Sequence, residues 1–98
     1  MDINSNKENN CLTITLNGRL DTNTAPQLDT ALKEELGDIE ELILDFENLE
    51  YISSAGLRVV LAAQKIMNKQ GNMKVLNVQD MVMEVLEATG FTDFLTIE

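Results

Sequence analysis

The three consecutive apolar residues Leu42-Ile43-Leu44, with the helix-start pattern Ser53-Ser54-Ala55-Gly56-Leu57 downstream, constrain this chain more than any other feature. A strand that is apolar on successive residues is expected to be covered on both faces, as in a parallel sheet flanked by helices. The polar stretch from Asp45 to Ile52 reads as a short loop, which places Ser53 and Ser54 where a helix begins. Hydroxyls there are exposed, held by a backbone turn, and close to the positive end of the helix dipole. Two roles fit them. They cap the helix, or they form a site at which one added phosphate changes a binding surface.

The flanking segments complete an alternation of strands and helices. Leu12, Ile14 and Leu16 alternate with threonines and predict a half-buried strand, and Asn17-Gly18 reads as a turn. Thr24-Ala25-Pro26-Gln27 opens a first helix: Thr24 can cap, Pro26 sits where its missing N–H costs little, and Gln27 completes a capping-box spacing. Ala25, Leu28, Leu32 and Leu36 follow at helical spacing up to Gly37. A second helix is predicted from Ser54 to Lys69, with Leu57, Val60, Leu61 and Met67 inward and Gly71 as its stop. Met73 to Val78 reads as another strand. Asp80 is expected to cap a short helix with Met81, Val82, Val85 and Leu86 on its apolar stripe. Phe91, Phe94, Leu95 and Ile97 suggest a final strand. The first ten residues either fray or add an edge strand through Ile3. This order implies an α/β fold, one domain over residues 1–98, with a mixed, partly parallel sheet of about four or five strands covered by helices.

Composition removes several classes of function. The net charge of -10 disfavours nucleic acid and anionic membrane surfaces, both of which call for clustered Lys and Arg. No apolar run reaches the roughly 20 residues that span a bilayer, so no direct membrane insertion is expected. The polar start resembles no secretory signal, and the lone Cys11 forms no internal disulfide. The chain is therefore expected in the cytoplasm. Cys11 and the five methionines read as core filler. With no histidine, the commonest general base and transition-metal ligand are missing. There is no Gly-rich phosphate-binding loop either. Neither enzymatic activity, nor a cofactor, nor a metal site is expected.

Two segments carry a family resemblance. Leu16-Asn17-Gly18-Arg19-Leu20-Asp21-Thr22-Asn23-Thr24-Ala25 resembles the G-x-L-D turn of the STAS domains found in anti-sigma factor antagonists. Leu44-Asp45-Phe46 through Tyr51-Ile52-Ser53-Ser54-Ala55-Gly56-Leu57 resembles the strand, loop and helix start that carry that family's phosphorylatable serine. The resemblance implies a STAS fold and a cycle of partners. In that cycle an unphosphorylated antagonist binds an anti-sigma factor that is also a serine kinase, and a sigma factor is released. Phosphorylation abolishes binding, and a serine phosphatase of the metal-dependent class restores it.

Carried onto this sequence, the acceptor is Ser54, with Ser53 as an alternate because it stands where the family often has Asp. Asp21, Thr22, Asn23, Ser53, Ser54, Gly56, Leu57 and Arg58 are the candidate partner contacts. Arg58, where better-known members have a small residue, either meets a phosphate on Ser54 or points to solvent. Gly56 either admits a partner backbone or avoids a clash in helix packing. Two other functions remain open at this point. One is a non-switching STAS adaptor subunit of a membrane transporter or larger signalling complex. The other is an aspartyl-phosphate receiver built on Asp45, although the acidic pair and magnesium site it needs are not found after the first strand.

Overall fold

Asn9 and Asn10 form the first turn of the chain, and Asn9 takes the left-handed conformation (φ 54°) that asparagine tolerates. In the computed structural model, which describes residues 1–98, this turn folds the N-terminal segment back as strand β1 (Asp2–Glu8), antiparallel to β2 (Cys11–Leu20). Of the two fates open to the first ten residues, the edge strand is the one adopted. Helix α1 (Ala25–Glu35), β3 (Glu41–Ile52), α2 (Ser54–Gln70), β4 (Asn72–Leu76) and α3 (Asp80–Ala88) follow. The sheet has four strands in sequential order, with β2, β3 and β4 parallel and β1 antiparallel at the edge.

The core lies against one face of this sheet. Leu12, Ile14 and Leu16 from β2, Leu42 and Leu44 from β3, and Met73 and Val75 from β4 are buried together with stripes from all three helices. These include Leu28 and Leu32 of α1, Val60 and Met67 of α2, and Val82 and Leu86 of α3. Burying a side chain of this size contributes about 1.5–3 kcal/mol. The opposite face carries Thr13, Thr15, Ile43 and Lys74, all partly exposed. Ile43 therefore corrects the expectation of a strand covered on both faces: its register neighbours there are Thr13 and Lys74. Cys11 is also on this face rather than in the core, half-exposed beside Glu41 (Sγ to Oε1 3.6 Å). Partial burial and the Glu41 carboxylate push its thiol pKa up, away from the reactive thiolate.

The polar stretch after Leu44 is not a loop. It is the second half of a twelve-residue strand. β3 carries one extra residue against β2 between the Thr15 and Asn17 pairings and another between Gly18 and Arg19. Each bulge shifts the alternation by one, so the buried residues run Phe46, Leu49, Ile52 instead of at every second position. Asn17-Gly18 likewise lies inside β2 and makes no turn; Gly18 adopts φ 108° at the irregular register. β4 ends opposite Asp45, and beyond that point Asn77 Nδ2 donates to the Asp45 carboxylate while Gln79 Nε2 donates to the Glu47 carbonyl.

Helix ends also depart from expectation in places. Gly71 closes α2 with extended backbone (φ 173°), its N–H donating to Met67 O at 2.7 Å. A Cβ there would lie 1.8 Å from Glu40 O, so glycine is required by close approach and not by handedness. Leu61 is only half-buried, while Ala63 and Gln64 take the inward positions of α2. Gln79 precedes α3, which makes Asp80 a first-turn residue favourable to the dipole rather than its cap, and Met81 is 70% exposed. The expected final strand is a short 3-10 turn, Phe91–Asp93, plus a single parallel bridge from Ile97 to Val75. Leu95 is buried there, while Phe94 is 65% exposed.

Candidate functional site

Two strand-to-helix turns meet at the C-terminal ends of β2 and β3, where ligands and partners approach open parallel sheets. The first turn, Asp21 to Thr24, is held by its own side chains. Asp21 Oδ1 accepts from Asn23 N (3.0 Å) and Thr24 N (3.1 Å). Thr24 Oγ1 accepts from Asp21 N at 2.8 Å and donates to Arg19 O at 2.7 Å. Thr24 thus spends its hydroxyl backward on the turn and does not cap α1, contrary to the capping-box reading. Partial desolvation pushes the Asp21 carboxyl up. The hydrogen bonds from Thr24 and Asn23, with the Arg19 charge, outweigh that and hold it below the usual carboxylate range. Thr22 and Asn23 stand exposed on the outside of this turn.

The second turn begins at Ser53, whose N–H donates to Leu20 O at 2.9 Å and ties the end of β3 to β2. Ser53 is the N-cap of α2: its backbone is extended and its Oγ accepts from Gly56 N at 3.3 Å. Ser54 occupies the first helical position and is exposed, and its hydroxyl makes no hydrogen bond within the protein. The N–H groups of Ser54 and Ala55 likewise find no protein acceptor, as expected of the first turn of a helix.

Gly56 and Leu57, expected among the contact residues, are buried and face inward. A Cβ on Gly56 would lie 2.7 Å from Leu20 Cγ and 3.0 Å from Ile52 Cγ1, so its absence lets the helix start settle on the strand ends. Of its two readings, packing is the one this geometry favours. Leu57 anchors the same turn in the core (5% exposed). Both are buried beneath the start of α2. Arg58 is exposed on the outer side of α2 and lines a groove of about 290 Å³ between α1 and α2 with Thr22, Ala25, Asp29 and Ala55. The groove brings Thr22 and Arg58, from the two turns, to one surface.

Arg19 and Tyr51 were not singled out by the sequence. They are register partners across β2 and β3, and the Arg19 guanidinium lies 4.2 Å from the centroid of the Tyr51 ring. Only the second bulge of β3 creates this pairing, so no local pattern announces it. Chemically, the surface offers a free hydroxyl; the chain has no histidine, and the nearby Asp21 carboxylate is already engaged in its own turn. No three His, Cys, Asp or Glu side chains gather where they could hold a metal ion, and no helix is long and apolar enough to cross a membrane.

Comparison with known proteins places these features in a family. BtrV of Bordetella bronchiseptica, to which an anti-sigma factor antagonist role is ascribed, is 33% identical over 99% of this chain and 85% of its own length. An anti-sigma F factor antagonist of Paenibacillus polymyxa is 32% identical over 88% of this chain and 76% of its own. Among solved structures, unphosphorylated SpoIIAA superposes with a TM-score of 0.84 at 21% identity, covering 99% of this chain and 88% of that one. Phosphorylated SpoIIAA of Bacillus gives 0.77 at 20% identity, over 99% and 91%. At such identities the structures speak for the fold alone. The sequence itself matches the STAS domain over residues 2–98, and with two relatives above 30% identity along most of their length, this chain belongs to the STAS domain family, among the anti-sigma factor antagonists, which regulate by binding and not by catalysis.

Proposed function

We propose that this protein binds an anti-sigma factor that is also a serine kinase, thereby freeing a sigma factor, and that phosphorylation of Ser54 ends the binding. The division of labour between the two serines carries the reading. Ser53 spends its hydroxyl oxygen on the cap, whereas Ser54 is exposed and unengaged on the first turn of α2. In the transfer, the γ-phosphoryl of ATP held by the kinase passes to Ser54 Oγ. The P–O bond to ADP breaks and the hydroxyl proton leaves to a base on the kinase. A metal-dependent serine phosphatase would reverse the modification, and the cycle belongs to the cytoplasm.

A phosphate adds about -1.5 to -2 charges at a helix start that tolerates anions, so the fold should survive while the contact surface changes. Desolvating that charge at an interface for about 3 kcal/mol lowers affinity about a hundredfold. The names of the relatives support the partner class, and the two structures of SpoIIAA, unmodified and phosphorylated, support a modification that leaves this fold in place.

The test compares wild type with Ser54→Asp, checked for folding by circular dichroism, in capture of partners identified by mass spectrometry. Retention of an ATP-binding kinase by wild type alone is the expected result. Equal retention by both, or co-purification with a permease instead, would favour the non-switching adaptor. Incubation of Ser54→Ala with the captured kinase and ATP should leave the protein unlabelled. A phosphopeptide containing Ser53 would move the acceptor there.

A further inference from the structure

We propose that Arg58 is the internal counter-ion of a phosphate carried on Ser54, an inference that rests on Ser54 being the acceptor. Arg58 follows Ser54 by four positions on α2, so their Cβ atoms share one face about 5–6 Å apart. Long side chains on a helix lean toward its N-terminus, over the residues three and four places earlier. That lean puts Ser54 within reach of the Arg58 side chain, which in the unmodified protein lines the α1–α2 groove beside Ala55.

The charge on Arg58 is unspent. It is exposed and enters no salt bridge or hydrogen bond within the protein. Asp29, the carboxylate that shares its groove, is held by Lys33 at 2.9 Å. Arg19 lies over Tyr51, and Lys74 sits between Glu41 and Glu98. Lys7 is placed with Glu34 and Glu35 in a separate cleft, while Lys65 and Lys69 come roughly three turns or more beyond Ser54 on α2. Arg58 is therefore the only cation on the first two turns of α2, the helix that the proposed acceptor opens.

The planar guanidinium fork matches two phosphate oxygens, and it favours the dianion over the monoanion. The pairing has a second effect on the surface. It draws the guanidinium from the rim of the α1–α2 groove toward the helix start, so modification changes two features of the surface at once: a dianion appears and a free cation is withdrawn.

Phosphoserine installed at position 54 during translation makes the test independent of any kinase. The second ionisation of the phosphate is followed by phosphorus NMR in otherwise wild-type protein and in Arg58→Ala and Arg58→Lys variants. The other charges at this end, Asp21, Asp29, Arg19 and Glu50, are common to all three proteins, so differences report Arg58. The expected result is a pKa about half a unit higher in Arg58→Ala, with Arg58→Lys between. Arg58→Ala should also lower the melting temperature of the phosphorylated protein more than that of the unmodified protein. Coincident titration curves for all three proteins would overturn the pairing while leaving a switch at Ser54 intact. Failure of the partner kinase to label Ser54 would remove the switch without altering these curves.

Discussion

The two turns at the C-terminal end of the sheet do the same topological job and spend their polar groups in opposite ways. From Asp21 to Thr24, a carboxylate and a hydroxyl close on neighbouring backbone groups, and the turn is satisfied by itself. From Ser53 to Gly56, a single long side-chain bond caps the helix, while the next hydroxyl and two backbone N–H groups are left free. Backbone groups left without protein partners remain accessible only where water can reach them. One turn is closed on itself, and its neighbour is left open.

Mutations can break this contrast. Gly56→Ala should have the largest effect, because its Cβ meets the fully buried Leu20 at 2.7 Å. Overpacking costs about 1–3 kcal/mol and the better helix propensity of Ala returns part of it, for a net loss of about 1–2 kcal/mol in urea unfolding. An unchanged midpoint would mean that the second turn is not pinned to the strand ends. Thr24→Val strips partners from Asp21 N and Arg19 O and should cost about 1 kcal/mol by the same measurement. Ser53→Ala should cost about 0.5–1 kcal/mol, since its capping bond is long. A loss from Ser53→Ala exceeding that from Thr24→Val would reverse the assignment of rigid and open turns.

Acid sharpens the same comparison. In the folded protein the hydrogen bonds from Thr24 and Asn23 hold the Asp21 carboxyl below the ordinary aspartate range. Its stabilising contribution is therefore complete above that range and is lost as pH falls through the lower, folded pKa. Asp21→Asn should lose this part of the acid dependence, and parallel pH profiles for the two proteins would show that the lock is not electrostatic. Ser54→Ala should have the smallest effect of all, within about 0.5 kcal/mol of wild type in urea unfolding. A larger loss would mean that Ser54 supports the fold.

Much of this arrangement is legible in the sequence where a period runs undisturbed. The alternation of Leu12, Ile14 and Leu16 and the spacing of Ala25, Leu28 and Leu32 read directly as a strand and a helix. The strand after Phe46 is hidden because two bulges turn a spacing of two into a spacing of three, and a spacing of three among charged residues looks like a loop. Gly18 misleads for a related reason, since a positive φ inside an irregular strand has the same sequence mark as a turn. At the site, a helix start bearing two serines is visible from the residues alone. Which serine caps depends on a backbone angle at Ser53, and the inward facing of Gly56 depends on how α2 meets Leu20. The Arg19–Tyr51 stack is hidden for the same reason as the strand itself.

The half-exposed thiol of Cys11 has a practical consequence. It opens the strand that Leu20 closes, so a ten-residue strand, about 30 Å long, separates it from the two turns. As the single cysteine of the chain, it offers a native attachment point for a fluorophore or a surface tether. Its raised pKa calls for mildly alkaline coupling. A probe placed there would hold the molecule by one end and leave both turns open at the other.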